Sequence, residues 1–412
     1  MKYKIFTFGC QLNFDDSKNI EIFLKKKGFI NAQKLDDSDL VVINTCTVRQ
    51  HAEDKALSLI GSLKRWKETN KDRKLIVSGC ASEKLGEELK KRFEFIDYVI
   101  GAKSYNKIYE IIEKEFPQKP INTNLNLNYD VSAYQTISRG CNMKCSYCIV
   151  PYVRGNEITI EFKKIIEEVY KKAKNNVKEI ILLGQTVNSY FDRSEKKDFV
   201  DLIREISQID EIKIIRFLSS HPLFFNEKFF DEYRRNPKIS RWIHLPLQSG
   251  SNRILKIMRR GYTVERFKEI VKELKKIDTK TSISTDIIVG YTSETEEDFL
   301  MTLNAVREIR FSFAYCFKYS PRFNDKEPLT ISVEELEKRH QIILSEVKKI
   351  AKELINEKKG EVEEAIIYKG SSGKTHTGYN CCIIDSREVE GSFVKFKVTE
   401  IKNNTLYGRI YE

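Results

Sequence analysis

Four short runs rich in β-branched and aromatic residues open the chain, KIFTFG, LVVINT, KLIVSG and YVIG, and a helical pattern follows each. Strands that alternate with helices pair as parallel neighbours, because every helix must carry the chain back over the sheet. That alternation dictates an α/β fold, with a doubly wound parallel N-terminal domain over 1–117. Within it, Asp16 or Ser17 is expected to cap the first helix, and a single helix is expected over 52–67. Six more β-type runs lie between 131 and 359: AYQTIS, EIILLG, IIRFLSS, WIHLPL, SISTDIIVG and FAYCFKYS. Six β/α repeats predict a partial (β/α)6 barrel, TIM-like but open. The stretch PQKPINTNLNLNYD has no periodicity and reads as a linker over 118–130. From 360 to 412, the runs VEEAIIY, FVKFKVTEI and TLYGRIYE are separated by Gly, Ser and Asn, which predicts a small C-terminal all-β barrel.

Nine cysteines punctuate this plan. Three stand close together in Cys141-Asn-Met-Lys-Cys145-Ser-Tyr-Cys148, past the end of the first barrel strand. Three thiolates on one short loop can hold three corners of a four-iron four-sulfur cube and leave one iron open. S-adenosyl-L-methionine can chelate that iron through its amino and carboxylate groups, and reductive cleavage of its sulfonium frees a radical able to attack an unactivated C–H bond. A structural zinc site is the competing reading, but it needs four ligands, and no further Cys or His falls between 81 and 220.

Cys10, Cys46 and Cys80 each come just past the carboxyl end of a predicted parallel strand. In an open α/β sheet that edge is the ligand crevice, so residues 36 and 34 positions apart converge there. They form a candidate second metal-binding triad; three inert core cysteines are the alternative. Cys316 and the Cys381-Cys382 pair read as small apolar residues within strands.

The whole chain resembles the methylthiotransferases of the radical S-adenosylmethionine superfamily. The resemblance rests on Gly9-Cys10-Gln11-Leu12-Asn13, on Asn44-Thr45-Cys46-Thr47-Val48-Arg49, on Gly79-Cys80, and on the radical loop with its tail Pro151-Tyr152-Val153-Arg154-Gly155. It continues through Leu183-Gly184-Gln185-Thr186-Val187-Asn188, His244-Leu245-Pro246-Leu247-Gln248 and Thr285-Asp286-Ile287-Ile288-Val289-Gly290. The tail from Gly391 to Gly408 is similar to a TRAM domain, a small RNA-binding barrel. Gln11 and the Gln185–Asn188 spacing place the chain nearest the branch that acts on N6-dimethylallyladenosine in tRNA. Sister branches act on threonylcarbamoyladenosine or on a ribosomal-protein aspartate. The chain departs from the family pattern at Ile158-Thr159-Ile160, Tyr291-Thr292-Ser293 and Asn324-Asp325-Lys326-Glu327.

The resemblance implies a transferase with two 4Fe-4S clusters, on Cys10, Cys46 and Cys80 and on the catalytic Cys141, Cys145 and Cys148. Tyr147, Gln185, Asn188, Ser220 and Gln248 are the expected cofactor-pocket residues. A tRNA substrate agrees with the excess of 72 Lys and Arg over 60 Asp and Glu, a net +12. Arg234, Arg235, Arg241, Arg253, Arg259 and Arg260 are candidate phosphate holders. An electron donor such as a flavodoxin or ferredoxin is implied, acting on a monomer. The apolar start MKYKIFTFGC is too short for a signal peptide and no membrane-length run occurs, so a cytoplasmic location is expected. The rival class is a non-catalytic, metal-bearing RNA-binding protein.

Overall fold

The computed structural model describes residues 1–117, 129–321, 328–384 and 390–411. The expected linker therefore lies outside the described residues except for Tyr129 and Asp130, and so do Asn324–Glu327. The chain forms two compact units. The first takes in residues 1–127 together with 139–142 and 149–158; the second takes in 128–138, 143–148 and 159–412.

In the first unit five parallel strands are ordered Ile30–Asn31, Lys2–Thr7, Leu40–Thr45, Lys74–Gly79, Tyr98–Gly101. Leu40, Val41, Val42 and Ile43 are all fully buried. Alternate side chains go to opposite faces of a strand. Accordingly Leu40 and Val42 join one apolar cluster, and Val41 and Ile43 join another. This is the doubly wound arrangement expected.

Two helix expectations need correction. The first helix runs Gln11–Lys26, starting at Cys10 rather than at Asp16 or Ser17. Those two residues are not caps because their side chains have buried partners: Asp16 accepts from Arg139 at 2.5 Å, and Ser17 Oγ accepts from Thr7 at 2.7 Å. The helix expected over 52–67 is two, Gln50–Ser62 and Lys64–Thr69. The break at Leu63 lets both Leu63 and Trp66 turn into the core.

In the second unit the six barrel strands are Ser132–Thr136, Glu179–Leu183, Ile214–Phe217, Trp242–His244, Ser282–Val289 and Phe313–Lys318. They pair in parallel as two three-stranded sheets, with the bridge Ile215↔Ile239 between the third and fourth strands. Helices such as Phe162–Lys174, Phe199–Ser207 and Val264–Ile277 cover the outside with one apolar face each.

The C-terminal segment is a closed five-stranded barrel. One of its strands, Ser372–Thr375, lacks the apolar run that sequence inspection relies on, while Asn380–Ile383 carries the Cys381-Cys382 pair read above as lying within a strand. This small barrel sits against the amino-terminal ends of the larger barrel's strands. Arg216, 1% exposed, bonds Glu179 Oε1 at 2.6 Å, Ser240 Oγ at 2.7 Å and the Thr375 carbonyl at 2.8 Å. Tyr368 donates to the other oxygen of Glu179, and Lys374 lies 4.3 Å from the centre of the Trp242 ring. Conserving barrel stability is the usual work of that end of the strands, while loops at the carboxyl ends carry chemistry. Among the described residues no helix is long and apolar enough to cross a membrane.

Candidate iron–sulfur and nucleoside site

The strand register sets the first triad. Thr7 pairs with Asn44, and Thr45 with Gly79, so three strands end level. Cys46 and Cys80 come directly after two of these residues, and Cys10 comes three residues after Thr7. Two glycines bring the thiols in. Gly9 has φ +115°, and a Cβ there would lie 2.3 Å from Cys46 Cβ. Gly79 has φ +104°, and a Cβ there would lie 2.3 Å from the Thr45 carbonyl oxygen. Only glycine tolerates both the left-handed backbone and the close approach.

Cys46 and Cys80 are buried, and Cys10 is half-buried with its thiol 3.4 Å from Asn13 Oδ1. Burial raises the Cys46 thiol, and Cys10 nearby adds to it. Burial pushes the Cys80 thiol up to about 12, against the opposing pull of the Arg154 guanidinium. A bound metal reverses this, since thiolate is the ligand form. Among the described residues no three Cys, His, Asp or Glu side chains are grouped tightly enough for one metal ion. A four-iron cube carries each thiolate on a separate iron, so its ligands stand further apart than those on one ion. Three cysteine thiols at one sheet edge match the donor chemistry of such a cube.

A polar net that sequence inspection missed holds this edge together. The Asn13 amide donates to the Phe8 carbonyl at 3.0 Å and the Thr45 carbonyl at 2.8 Å, and Asn44 donates back to the Asn13 carbonyl at 2.9 Å. Arg154, buried, donates to Asn13 Oδ1 at 2.8 Å, lies 4.0 Å from Asp16 and hydrogen-bonds the Cys80 thiol. A guanidinium keeps its charge at any accessible pH. Here it is a fixed cation among three prospective thiolates. The available signal was position: Asn13, Asn44 and Arg154 all lie within the cysteine-bearing motifs.

The radical loop is split between the units, with Cys141 in the first and Cys145 and Cys148 in the second. Cys141 is buried, and its amide donates to the Gly155 carbonyl at 3.1 Å. In the second unit, Ser146 is tied to the Met258 and Ile257 carbonyls at 3.2 and 2.9 Å, and its Oγ lies 2.7 Å from the Tyr291 hydroxyl. Arg260, also buried, donates to Cys145 Sγ at 3.3 Å. Each thiol set thus has its own buried arginine.

Of the expected pocket residues, Tyr147 is half-buried with its ring 6.5 Å from that of Tyr291. Gln185 is half-buried after the second barrel strand. Ser220 Oγ donates to the His244 carbonyl at 2.5 Å. Gln248, at φ 69°, joins the backbone of Asp286 and Ile288. Asn188 differs from the others. Its amide group donates to the His221 carbonyl at 3.0 Å and accepts from the His221 N–H at 2.8 Å. Those bonds brace one loop against the next.

Of the arginines named as phosphate holders, Arg241 and Arg260 are buried, whereas Arg234, Arg235, Arg253 and Arg259 are exposed. Arg241 pairs with Asp278, Arg253 with Asp298, and Arg234 and Arg235 with Asp231, while Arg260 is on Cys145. A further outward basic face lies on the C-terminal barrel. There Lys397 pairs across strands with Arg409, both exposed, and Lys395, also exposed, lies 3.4 Å from Glu364.

Comparison with known proteins adds to this geometry. A model described as the radical SAM superfamily matches residues 136–306, and one described as uncharacterized protein family UPF0004 matches residues 2–101. The tRNA-2-methylthio-N(6)-dimethylallyladenosine synthase of Endomicrobium trichonymphae is 37% identical over 421 residues, spanning 100% of both chains. The enzyme of that name from Aliarcobacter butzleri (strain RM4018) is 37% identical over 437 residues, spanning 99% of this chain and 98% of its own. That from Helicobacter pylori (strain Shi470) is 38% identical over 410 residues, spanning 92% of each. Among solved structures, the radical S-adenosylmethionine methyltransferase TsrM from Kitasatospora setae, with cobalamin and a 4Fe-4S cluster bound, superposes with a TM-score of 0.59. The match covers 81% of this chain and 78% of that one, at 13% identity, and speaks to fold alone.

Proposed function

The chain belongs to the family of tRNA-2-methylthio-N(6)-dimethylallyladenosine synthases, and from that premise we propose that it exchanges the C2 hydrogen of a prenylated adenosine in tRNA for a methylthio group. The observation that carries the reading is the convergence of Cys10, Cys46 and Cys80 at one sheet edge, in a chain that also bears Cys141, Cys145 and Cys148 on a single loop. When bound, two 4Fe-4S clusters and S-adenosyl-L-methionine supply the hydrogen-abstracting radical and the methylated sulfur.

The chain's own residues hold and tune these groups. Arg154 offsets the negative charge of the front thiolates, and Asn13 and Asn44 fix the loops that carry them. Arg260 donates a hydrogen bond to Cys145 Sγ and so fixes where that ligand stands. Tyr147, Gln185, Ser220 and Gln248 line the cofactor's pocket, and Asn188 positions the loop beside it. The substrate base must leave its stack to reach a barrel mouth, as readers of single-stranded RNA require. Lys395, Lys397 and Arg409 hold RNA phosphates. The same reading calls for a one-electron donor of the flavodoxin or ferredoxin type, a monomeric enzyme and a cytoplasmic setting.

The test gives the reconstituted enzyme prenylated, unprenylated and threonylcarbamoylated tRNA in parallel, with reductant and S-adenosyl-L-methionine. Mass spectrometry of the digested nucleosides should show the methylthio product from prenylated tRNA only. Product from threonylcarbamoylated tRNA alone would overturn the substrate while leaving the radical chemistry in place. No methylthio product from any of the three would favour the non-catalytic reading.

A further inference from the structure

The sixth barrel strand, Phe313–Lys318, pairs with Ser282–Val289 along one side only among the described residues. Its two faces differ. Ala314 and Cys316 turn into the main core. On the opposite face stand Phe313, Tyr315 and Phe317. Phe313 is 46% and Tyr315 40% exposed. Their ring centres are 4.7 Å apart, edge to face, and Tyr315 stacks on Phe317 at 6.2 Å with 23° between planes. A continuous ladder of three rings left partly open to water is not what a core strand does; such a surface marks a binding site.

The ladder is continuous with the radical site. Phe317 packs on the buried group of Ile254, Met258, Ile288, Tyr291 and Tyr319, and Tyr147 of the cysteine loop packs on the same group. A polar strip runs beside the rings. Phe313 is in register with Ser284 and Tyr315 with Asp286, so these side chains share one face. His244 Nε2 is 3.5 Å from the Asp286 carboxylate, and its Nδ1 is 3.0 Å from Ser284 Oγ.

We propose that the Phe313–Tyr315–Phe317 ladder is the stacking platform for the prenylated adenine, with Asp286 as its selectivity group. This rests on the function proposed above and names the residues that choose its substrate. Bases stack on aromatic rings irrespective of sequence, and an apolar five-carbon tail extends that contact. Asp286 bears only acceptors when ionised. Alkylation leaves N6 a single N–H, which a carboxylate can accept. A threonylcarbamoyl group carries its own carboxylate and would meet Asp286 as a like charge, so the same residue rejects the sister substrate.

The test measures binding of an anticodon stem-loop RNA, prenylated or unprenylated, to the holoenzyme by fluorescence anisotropy at fixed salt. Phe313→Ala and Tyr315→Ala should each weaken binding of the prenylated RNA by roughly tenfold to a hundredfold, the scale of one lost stacking ring. The unprenylated RNA, which offers the base without the five-carbon tail, should weaken by less, so that the wild-type preference shrinks. Tyr315→Phe keeps the ring and should retain the preference. Asp286→Asn should narrow the discrimination against threonylcarbamoylated RNA. Iron content and melting temperature of each variant establish that it is folded. A preference that survives both alanine substitutions, or equal weakening of both RNAs, overturns the platform. If the wild-type holoenzyme itself shows no preference for the prenylated RNA, the proposed function fails instead.

Discussion

Arg216 ties the two barrels together at their junction, and its replacement by methionine gives a measurable forecast. The side chain is 1% exposed and so is closed off from water. It satisfies Glu179, Ser240 and the Thr375 carbonyl at 2.6–2.8 Å. Burial favours a neutral Glu179, but Arg216, Ser132 and Tyr368 outweigh it and lower its pKa, so a charged carboxylate sits fully inside. Methionine would fill most of the volume but leave that charge with hydroxyl partners only. Breaking a buried pair from one side costs about 3–5 kcal/mol. At ~2 °C per kcal/mol, the lower end of the scale because this unit is large, the melting temperature should fall by about 6–10 °C. Scanning calorimetry on the full chain would read it. A double variant, Arg216→Met with Glu179→Gln, removes both charges and should recover more than ~1 kcal/mol of that loss. A shift below ~2 °C for the single variant, or strict additivity in the double, would refute the view that this pair cements the two barrels. Deleting 360–412 is for the same reason no clean test of RNA binding, because it would open this buried pair to water.

Four further outcomes are expected. Gly9→Ala places a methyl against Cys46 and should cut reconstituted iron from about eight to about four per chain; a full complement would show that the close approach is dispensable. Replacing Cys141, Cys145 and Cys148 together by alanine should likewise halve the iron, and loss of all of it, or stoichiometric zinc in the wild type, would count against two separate clusters. Burial lowers both His221 and His376 to about 3, so the unfolded chain takes up protons first. Stability present above pH ~6.5 should therefore decline as the pH falls toward 3, by up to ~1.4 kcal/mol per pH unit for each histidine, and urea midpoints that stay flat between pH 7 and 5 would contradict this. Lys397→Ala and Arg409→Ala should each lower the salt dependence of tRNA binding by about one unit of log–log slope, and an unchanged slope would remove the C-terminal face from the RNA interface.

Much of the architecture could be read from the chain alone because it is local. A run such as LVVINT followed by a helical pattern specifies a buried parallel strand by composition and period. A cysteine just beyond it inherits the carboxyl edge of the sheet, so the convergence of Cys10, Cys46 and Cys80 needed no knowledge of long-range contacts. The spacing of Cys141, Cys145 and Cys148 confines three thiols to one loop whatever surrounds it. Even the strand positions of Cys381 and Cys382 follow from their neighbours.

What only the tertiary structure decided concerns groups whose partners are remote in sequence. Asp16 looks like a helix cap until Arg139 arrives from 123 residues away. Arg154 and Arg260 resemble the many other arginines of a basic chain, yet each is buried on a thiol set. Arg216 meets Thr375 across 159 residues. Asn188 and the short strand Ser372–Thr375 carry no apolar signature at all. The physical reason is the same in each case. Periodicity and motif spacing record how a residue relates to its chain neighbours, whereas whether a charge is solvated or buried depends on which distant segment folds over it. In water such a charge is nearly neutral to stability; buried without its partner it costs several kcal/mol. That difference is set by the packing of the whole chain.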